Sequence, residues 1–525
     1  MKNPAVENLP PPSDTDTAPP PDVSVEDVRR ATALLSTLAE HRVLLHHLPP
    51  EDHHALMAAA GRLIHPDKAT KSRMVNALRK EKKDVLRAND RAVRSSTEIR
   101  VLRKAPVLSL PALPPPPPEA TPERLLEVPR KCYVCKVEFR KVHFFYDAMC
   151  IPCGDLNYAR RTQRADLTGQ VALITGARVK IGFQASLMLL RSGATVIATT
   201  RFPQDAVHRY AREPDFADWA HRLHVHGLDL RHAPSVELFA RHIEQTHERL
   251  DILINNAAQT VRRPPGFYQH LLDGELRGVD PRLRPLLAGH EACVAALRPA
   301  LGPGDMGNTS LPVATWRSSD PALGIHSSAA LSLLPYAMEQ EGDTQALFPE
   351  GRLDADLQQV DLRATNSWRL KLSEVRTAEM LEVHLVNAVA PFILCGKLKP
   401  LMLKDRSKPG HIVNVSAMEG SFSRWTKTDR HPHTNMAKAA LNMMTLTSAP
   451  DYARDNIFMN AADTGWVTDE DPAQHAERKV QELDFQPPLD IVDGAARVVD
   501  PIITAVNTGE YVWGNFFKDY RPTDW

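Results

Sequence analysis

From residue 171 onward the chain alternates short apolar runs with helical stretches, and this alternation constrains its fold more than any other feature. Val171-Ala-Leu-Ile-Thr175 is apolar almost throughout, as a parallel strand covered on both faces must be. Gly176-Ala-Arg-Val-Lys-Ile-Gly182 follows as a turn. Phe183 to Arg191 reads as a helix closed by Gly193, and Ala194-Thr-Val-Ile-Ala-Thr199 as the next strand. A strand, helix and strand in this order form a βαβ unit, and a glycine-bearing first turn opens the helix N-terminus to a dinucleotide pyrophosphate. The expected fold is α/β, a doubly wound, Rossmann-like parallel sheet with ligands at the carboxyl ends of its strands.

Further motifs follow in order. They are Gly227-Leu-Asp-Leu230, Leu253-Ile-Asn-Asn-Ala-Ala258, Asn387 in His-Leu-Val-Asn-Ala-Val-Ala-Pro-Phe392, Ile412-Val-Asn-Val-Ser416, Met436-Ala-Lys-Ala-Ala440 and Met459-Asn-Ala-Ala-Asp-Thr-Gly-Trp-Val-Thr468. With the Thr175–Gly182 turn they resemble the short-chain dehydrogenase/reductase family over roughly residues 165–515. The resemblance implies a cofactor site made by Thr175, Gly176, Arg178, Lys180, Ile181 and Gly182 in the turn. Asp229 and Leu230 would lie at the adenine and Asn256 and Ala257 at a strand end, and Thr464, Gly465, Val467 and Thr468 would follow a later strand. Lys180 stands where the family has its middle glycine, and Thr464 where it has proline. The resemblance also implies Ser416 polarising a substrate oxygen, Asn387 ordering a relay water, and Lys438 holding the nicotinamide ribose. The implied activity is oxidoreduction of a small carbonyl or alcohol.

The cation pattern selects the cofactor. Enzymes using NAD(H) place an acid after the second strand, whereas those using NADP(H) tend to place arginine there. This chain has Thr199-Thr200-Arg201 and no acid before Asp205, with Arg178 and Lys180 adding charge in the turn. A phosphate dianion suits such charge-assisted donors, so NADP(H) is expected rather than NAD(H).

One departure touches the chemistry. Family members place a tyrosine four residues before the helix lysine, and here that position is Thr434. An aliphatic hydroxyl is a far poorer acid than a phenol of pKa near ~10. The loop before it is long, with Trp425, Asp429, His431 and His433 between Ser416 and Lys438. His431, His433 or Tyr268 could replace the phenol, since imidazole titrates near neutrality. Alternatively, the domain binds NADP(H) without turnover and serves as a scaffold or sensor.

Cys132-x-x-Cys135 and Cys150-x-x-Cys153 have the spacing of a four-cysteine zinc site. With all four positions filled by Cys, such a site is closed and structural. It is expected to organise a zinc-ribbon-like module over 130–160. Cys293 and Cys395 read as ordinary buried residues.

Prolines mark the remaining boundaries. Of 43, seven lie in 4–21 and nine in 106–129. The expected organisation is a disordered tail over 1–22, a helical segment over 23–104 and a stiff linker over 105–129. The module over 130–160 and the α/β domain over 165–525 complete it. Ser24 and Asp27 form a helix-start signature before Val28, Ala31, Leu35 and Leu38. Residues 71–104 hold 12 basic and four acidic side chains, either a solvated face or a contact for a protein or nucleic acid. The whole chain balances 64 Lys+Arg against 64 Asp+Glu, which argues against a polyanion binder overall. Between Asn255 and Asn387 the spacing is 132 residues, implying an insertion over about 260–361 that forms a lid, a substrate wall, or a loop. No run of 18 apolar residues is present, so no membrane span is expected. Cytoplasmic placement and a homo-oligomer complete the expectation.

Overall fold

The computed structural model describes residues 23–103, 123–297, 320–335, 344–354, 358–405, 407–424 and 427–525. β1 (Leu125–Lys131) and β2 (Glu138–Lys141) pair antiparallel as a hairpin. A second sheet holds β3 (Val171–Thr175), β4 (Thr195–Thr200), β5 (Leu223–Gly227), β6 (Ile252–Asn255), β7 (Gly410–Ser416), β8 (Ile457–Asp463), β9 (Phe516–Lys518) and β10 (Arg521–Pro522). Its order is β10-β9-β8-β7-β6-β3-β4-β5, parallel from β5 to β9, with β10 antiparallel at the edge. The chain reverses its direction of growth between β3 and β6, and the carboxyl ends of these strands open a crevice there. The fold is the doubly wound α/β sheet expected from the alternation.

The helix Lys180–Arg191 buries Leu187, Leu189 and Leu190 and packs against the helix Ile491–Thr508. On the other face, the run Thr377–Lys404 passes through a π-turn at Leu385–Val389. That run is long and apolar enough to cross a membrane by length and composition, and 61% of its most apolar stretch is buried inside the protein.

The chain divides into two compact units, Met1–Val85 and Leu86–Trp525. In the first, helices Val25–Glu40 and Pro50–Ile64 form where the sequence pattern places them. Ser24 and Asp27 make a reciprocal capping box, yet no residue of either helix is buried. The expected single helix over 71–104 is two, Lys68–Ser95 and Glu98–Leu102, and the unit boundary falls inside the first. Thr97 breaks the run, its hydroxyl donating to the Arg94 carbonyl. The supposed linker also ends early, because Leu125–Lys131 is strand. Leu126 is buried, and the Asp90 carboxylate accepts from the Glu127 and Val128 amides. The rest of that linker, the tail over 1–22, part of the insertion and Trp425 lie outside the described residues.

The described part of the insertion is helical. Phe267, Tyr268, Leu271 and Phe348 pack with Phe202 into a small core of their own.

Candidate active site

A cavity of about 1340 Å³ opens at the carboxyl ends of β3, β4, β6, β7 and β8. Its first wall is the turn after β3. Gly176 has φ +68, and a Cβ there would stand 2.9 Å from Ala257. A Cβ on Gly182 would meet the Gly176 carbonyl oxygen at 2.2 Å, so the helix can start this close to the turn only with glycine. Lys180 takes φ +54, the left-handed backbone that explains the family's glycine at this position. Thr175 and Asn256 fasten the turn from behind. The Thr175 hydroxyl accepts from the amides of Asn256 (3.1 Å) and Ala257 (3.0 Å), and the Asn256 side chain donates to the Thr175 and Gly176 carbonyls. Thr175 does not line the cavity, whereas Gly176, Arg178, Lys180, Ile181, Gly182, Asn256 and Ala257 do.

At the end of β4, Arg201 donates to the hydroxyls of Ser332 (3.0 Å) and Tyr268 (2.9 Å). Neither partner neutralises its charge. Burial would raise the Tyr268 pKa, but the neighbouring Arg201 guanidinium brings it below the ordinary phenol value. Asp205, the first acid after β4, is engaged by Arg178 and Arg209, each at 2.6 Å. Asp229 is fully buried and accepts from the Arg231 backbone amide and guanidinium, and Leu230 lines the cavity beside it.

The opposite wall carries Ser416 and Lys438, two of the residues expected to do the chemistry. Ser416 ends β7, opposite Asp463 of β8, and its Oγ has no hydrogen-bond partner among the described residues. Lys438 Nζ donates to the Val415 carbonyl at 2.7 Å. Burial pushes the Lys438 ammonium down to about 8, against the opposing pull of Glu419 and Asp463. The helix Pro432–Arg454 starts at His431, which adopts φ +42 and stacks on Trp368 with ring centres 3.9 Å apart and planes 6° apart. His431 Nδ1 lies 3.1 Å from Asn435 Oδ1. Ser416, Lys438, His431, Asn435 and Trp368 all line the cavity.

Three expected groups are not on that wall. Thr434 is buried, with its hydroxyl unpartnered, and does not line the cavity. His433 is buried beside it and also off the wall. Asn387 sits in the π-turn, where its amide accepts from the Gln259 backbone NH at 2.7 Å and donates to the Gln259 carbonyl at 3.0 Å. Thr464, Gly465, Val467 and Thr468 line the cavity after β8.

The four cysteines converge. Cys132 and Cys135 sit on the β1–β2 turn, while Cys150 caps the helix Ile151–Arg160 and Cys153 lies in its first turn. All four Sγ atoms lie within 4.8 Å of one another, and Cys135 and Cys150 are 3.7 Å apart.

Residues 170–271 match the family model for short chain dehydrogenases, and residues 351–487 match the one described as Enoyl-(Acyl carrier protein) reductase. Over these two stretches the chain matches the short-chain dehydrogenase/reductase family. Between the two matches lie residues 272–350, inside the expected insertion. An uncharacterized protein of Acanthamoeba polyphaga mimivirus is 29% identical over 389 residues, 71% of each chain. Human Retinol dehydrogenase 13 is 34% identical over 94 residues, and that match covers 18% of this chain and only 28% of the dehydrogenase. Among solved structures, an NADPH bound carbonyl reductase from chicken fatty liver is similar at 17% identity and TM-score 0.39, covering 68% of this chain and 99% of that one.

Some cavity residues come from far along the chain and carry no signal in the sequence. Tyr133 and Lys136 reach the wall from the cysteine turn, and Lys518 from β9. An aromatic between two cysteines carries no signal that it faces a distant strand end. The later arginines of the basic run are likewise engaged within their own unit. Arg94 pairs with Asp484 at 2.6 Å, Arg100 with Asp147 and Asp484, and Arg103 donates to the Pro487 and Leu489 carbonyls.

Proposed function

We propose that this chain is an NADP(H)-dependent oxidoreductase that interconverts a carbonyl and an alcohol. The observation carrying this reading is a single cavity that brings together the Gly176–Gly182 turn on one wall and Ser416, Lys438 and His431 on the other. The cradle fits a dinucleotide, because glycine at 176 and 182 lets the turn and the helix start pack closely at the cavity, where backbone NH groups can meet a pyrophosphate. Arg201, with two neutral partners, would meet the 2′-phosphate, and Lys438 the nicotinamide ribose. Leu230 would offer its backbone to the adenine, beside Asp229, whose carboxylate is held by Arg231 and whose amide donates to the Gly324 carbonyl.

When bound, the cofactor donates or accepts a hydride at the carbinol carbon. Ser416 Oγ donates a hydrogen bond to the substrate oxygen. Thr434 lies off the wall, so the proton comes from His431. Asn435 Oδ1 can only accept, which puts the hydrogen of His431 on Nδ1 and leaves Nε2 as the atom that exchanges a proton. Asn387 positions Gln259 at the wall through two backbone hydrogen bonds.

The test is direct. NADPH should raise the melting temperature more than NADH, and a carbonyl panel should then consume NADPH absorbance. No stabilisation by either nucleotide would sink the reading, and turnover untouched by Lys438→Ala would remove the mechanism. The buried Thr434 hydroxyl favours one second reading, a cofactor-binding scaffold or sensor. Tight NADPH binding with no turnover across the panel would select it.

Zinc in the four-cysteine cluster is part of the proposal. Tetrahedral Zn–S bonds of ~2.3 Å put neighbouring sulfurs ~3.8 Å apart, while a disulfide needs ~2.05 Å. The 3.7 Å between Cys135 and Cys150 fits the metal. One zinc per chain is the expected metal content. Reduced thiols accord with a cytoplasmic setting. Phe392 (68% exposed), Met436 (50%) and Leu446 (52%) on the two long helices beside β7 support a homo-oligomer. Any protein or nucleic-acid contact falls to the exposed half of the basic run, Lys71 to Lys83.

A further inference from the structure

The turn Cys132-Tyr-Val-Cys135 contributes to the cavity of a domain that begins some 40 residues later. Tyr133 is held at its base by its amide, which donates to the Ala148 carbonyl at 2.8 Å, and Cys132 Sγ accepts from the Cys150 amide at 3.4 Å. Its side chain spans from the cysteine turn to the segment after β8. At the far end its hydroxyl accepts from the Trp466 backbone NH at 2.9 Å. The neighbouring Gly465 adopts φ +74, and a Cβ there would stand 3.2 Å from the Tyr133 hydroxyl and 2.4 Å from Leu489. The Trp466 carbonyl accepts from the Leu489 amide at 3.3 Å. Gly465–Trp466 is thus a left-handed turn pinned on both sides, and it carries the segment running from β8 to Thr468 along the cavity wall. Among the described residues, no other side chain from outside the α/β sheet and its helices bonds the backbone of this turn.

We propose that Tyr133 is a positioning residue for the cofactor cavity, coupling the metal state of the four-cysteine cluster to the Gly465–Trp466 turn. With metal bound, the two cysteines flanking Tyr133 fix its backbone and the hydroxyl stays on Trp466. Without metal, the cysteine turn relaxes, the hydrogen bond is lost and the turn opens. The cofactor then loses part of its grip although every residue that touches it is intact. The effect on nucleotide binding rests on the proposed NADP(H) reading, whereas the effect on the turn does not.

Two readouts on the full chain separate these. Amide hydrogen exchange of peptides spanning Trp466 is compared for the zinc-loaded protein, the chelated protein and Tyr133→Phe. NADPH affinity is measured on the same samples by fluorescence. Tyr133→Phe keeps the ring and its packing and removes only the acceptor. It should accelerate Trp466 exchange about fivefold, the size expected for one backbone hydrogen bond, and weaken NADPH by a similar factor while zinc content stays unchanged. Chelation of the parent protein should reproduce both effects and add little to Tyr133→Phe. Unchanged Trp466 exchange in Tyr133→Phe overturns the proposal. So does a chelation effect on exchange as large in Tyr133→Phe as in the parent. If the parent protein binds no NADPH at all, the cofactor reading fails and the exchange arm alone decides the role of Tyr133.

Discussion

Arg161 and Asp490 form a bidentate pair, with guanidinium nitrogens 2.7 and 2.9 Å from the two carboxylate oxygens. Both residues are buried. Arg161 follows the helix of the cysteine module, and Asp490 caps the helix Ile491–Thr508, which packs on the phosphate-turn helix. The same guanidinium lies 2.9 Å from Asp493, whose carboxylate also accepts from the Tyr146 hydroxyl. The module is therefore joined to the Rossmann sheet through one cation and two acids.

That arrangement predicts a large cost for losing the cation. Arg161→Met would leave Asp490 and Asp493 buried without their main counter-charge. Breaking one side of a buried pair costs about 3–5 kcal/mol. Urea unfolding of the variant should show a loss of that order, and a loss below about 1 kcal/mol would contradict the role assigned to the pair.

Lys180 permits a test of charge without disturbing shape. Its φ of +54 is strained for lysine and free for glycine, so Lys180→Gly keeps the turn while deleting the cation. If the side chain serves a cofactor phosphate, NADPH affinity should fall about tenfold, as for loss of a charge-assisted hydrogen bond. Titration by intrinsic fluorescence reads this directly. Unchanged affinity would mean that the lysine serves only the neighbouring Glu470, whose carboxyl it helps hold below its ordinary range against the effect of burial.

Acid sensitivity follows from buried histidines. Burial pushes His290, His411 and His433 down to about 4. Their unfolded value is near ~6.5, so between 6.5 and 4 the unfolded chain binds protons that the folded chain refuses. Their contribution to stability is complete above about 6.5 and is lost as pH falls toward 4. Each contributes at most about 1.4 kcal/mol per pH unit across that window. Glu275 acts the other way, since burial pushes it up to about 7 and it favours folding as pH falls from 7. Three histidines against one carboxyl leave the protein less stable at pH 5 than at pH 7. His411→Leu should flatten the slope by about one histidine's share in urea unfolding at several pH values.

The parts legible in the sequence are those set by local backbone demands. Gly176 and Gly182 announce a close approach that only glycine allows, and they sit where the structure needs them. The paired cysteines announce their own convergence, because two short spacings bring two thiols each to a turn. What was not legible depends on partners distant in sequence. Tyr133 carries no sign of its distant partner, the Trp466 amide that donates to its hydroxyl. Arg94 and Arg100 read as part of a free basic face until Asp484 and Asp147 are found opposite them. Thr434 illustrates the reverse problem: the register of the helix is right, but a side chain this short does not reach the wall a tyrosine would reach.

The strongest test of the chemistry is therefore at His431, not Thr434. The imidazole lines the cavity, stacked on Trp368 and oriented by Asn435. Its burial lowers the pKa from the ordinary histidine value, so the acid form becomes scarce on the acid side of neutrality. Carbonyl reduction should accordingly slow with rising pH over the histidine range. His431→Gln keeps a hydrogen-bonding side chain but cannot deliver a proton, and should reduce kcat by about 100-fold or more while leaving NADPH affinity near that of the parent. The pH limb should vanish with it. Thr434→Ala, by contrast, should change kcat little, because its hydroxyl is not on the wall. A Thr434→Ala variant as impaired as His431→Gln would return the acid to the threonine and overturn the assignment.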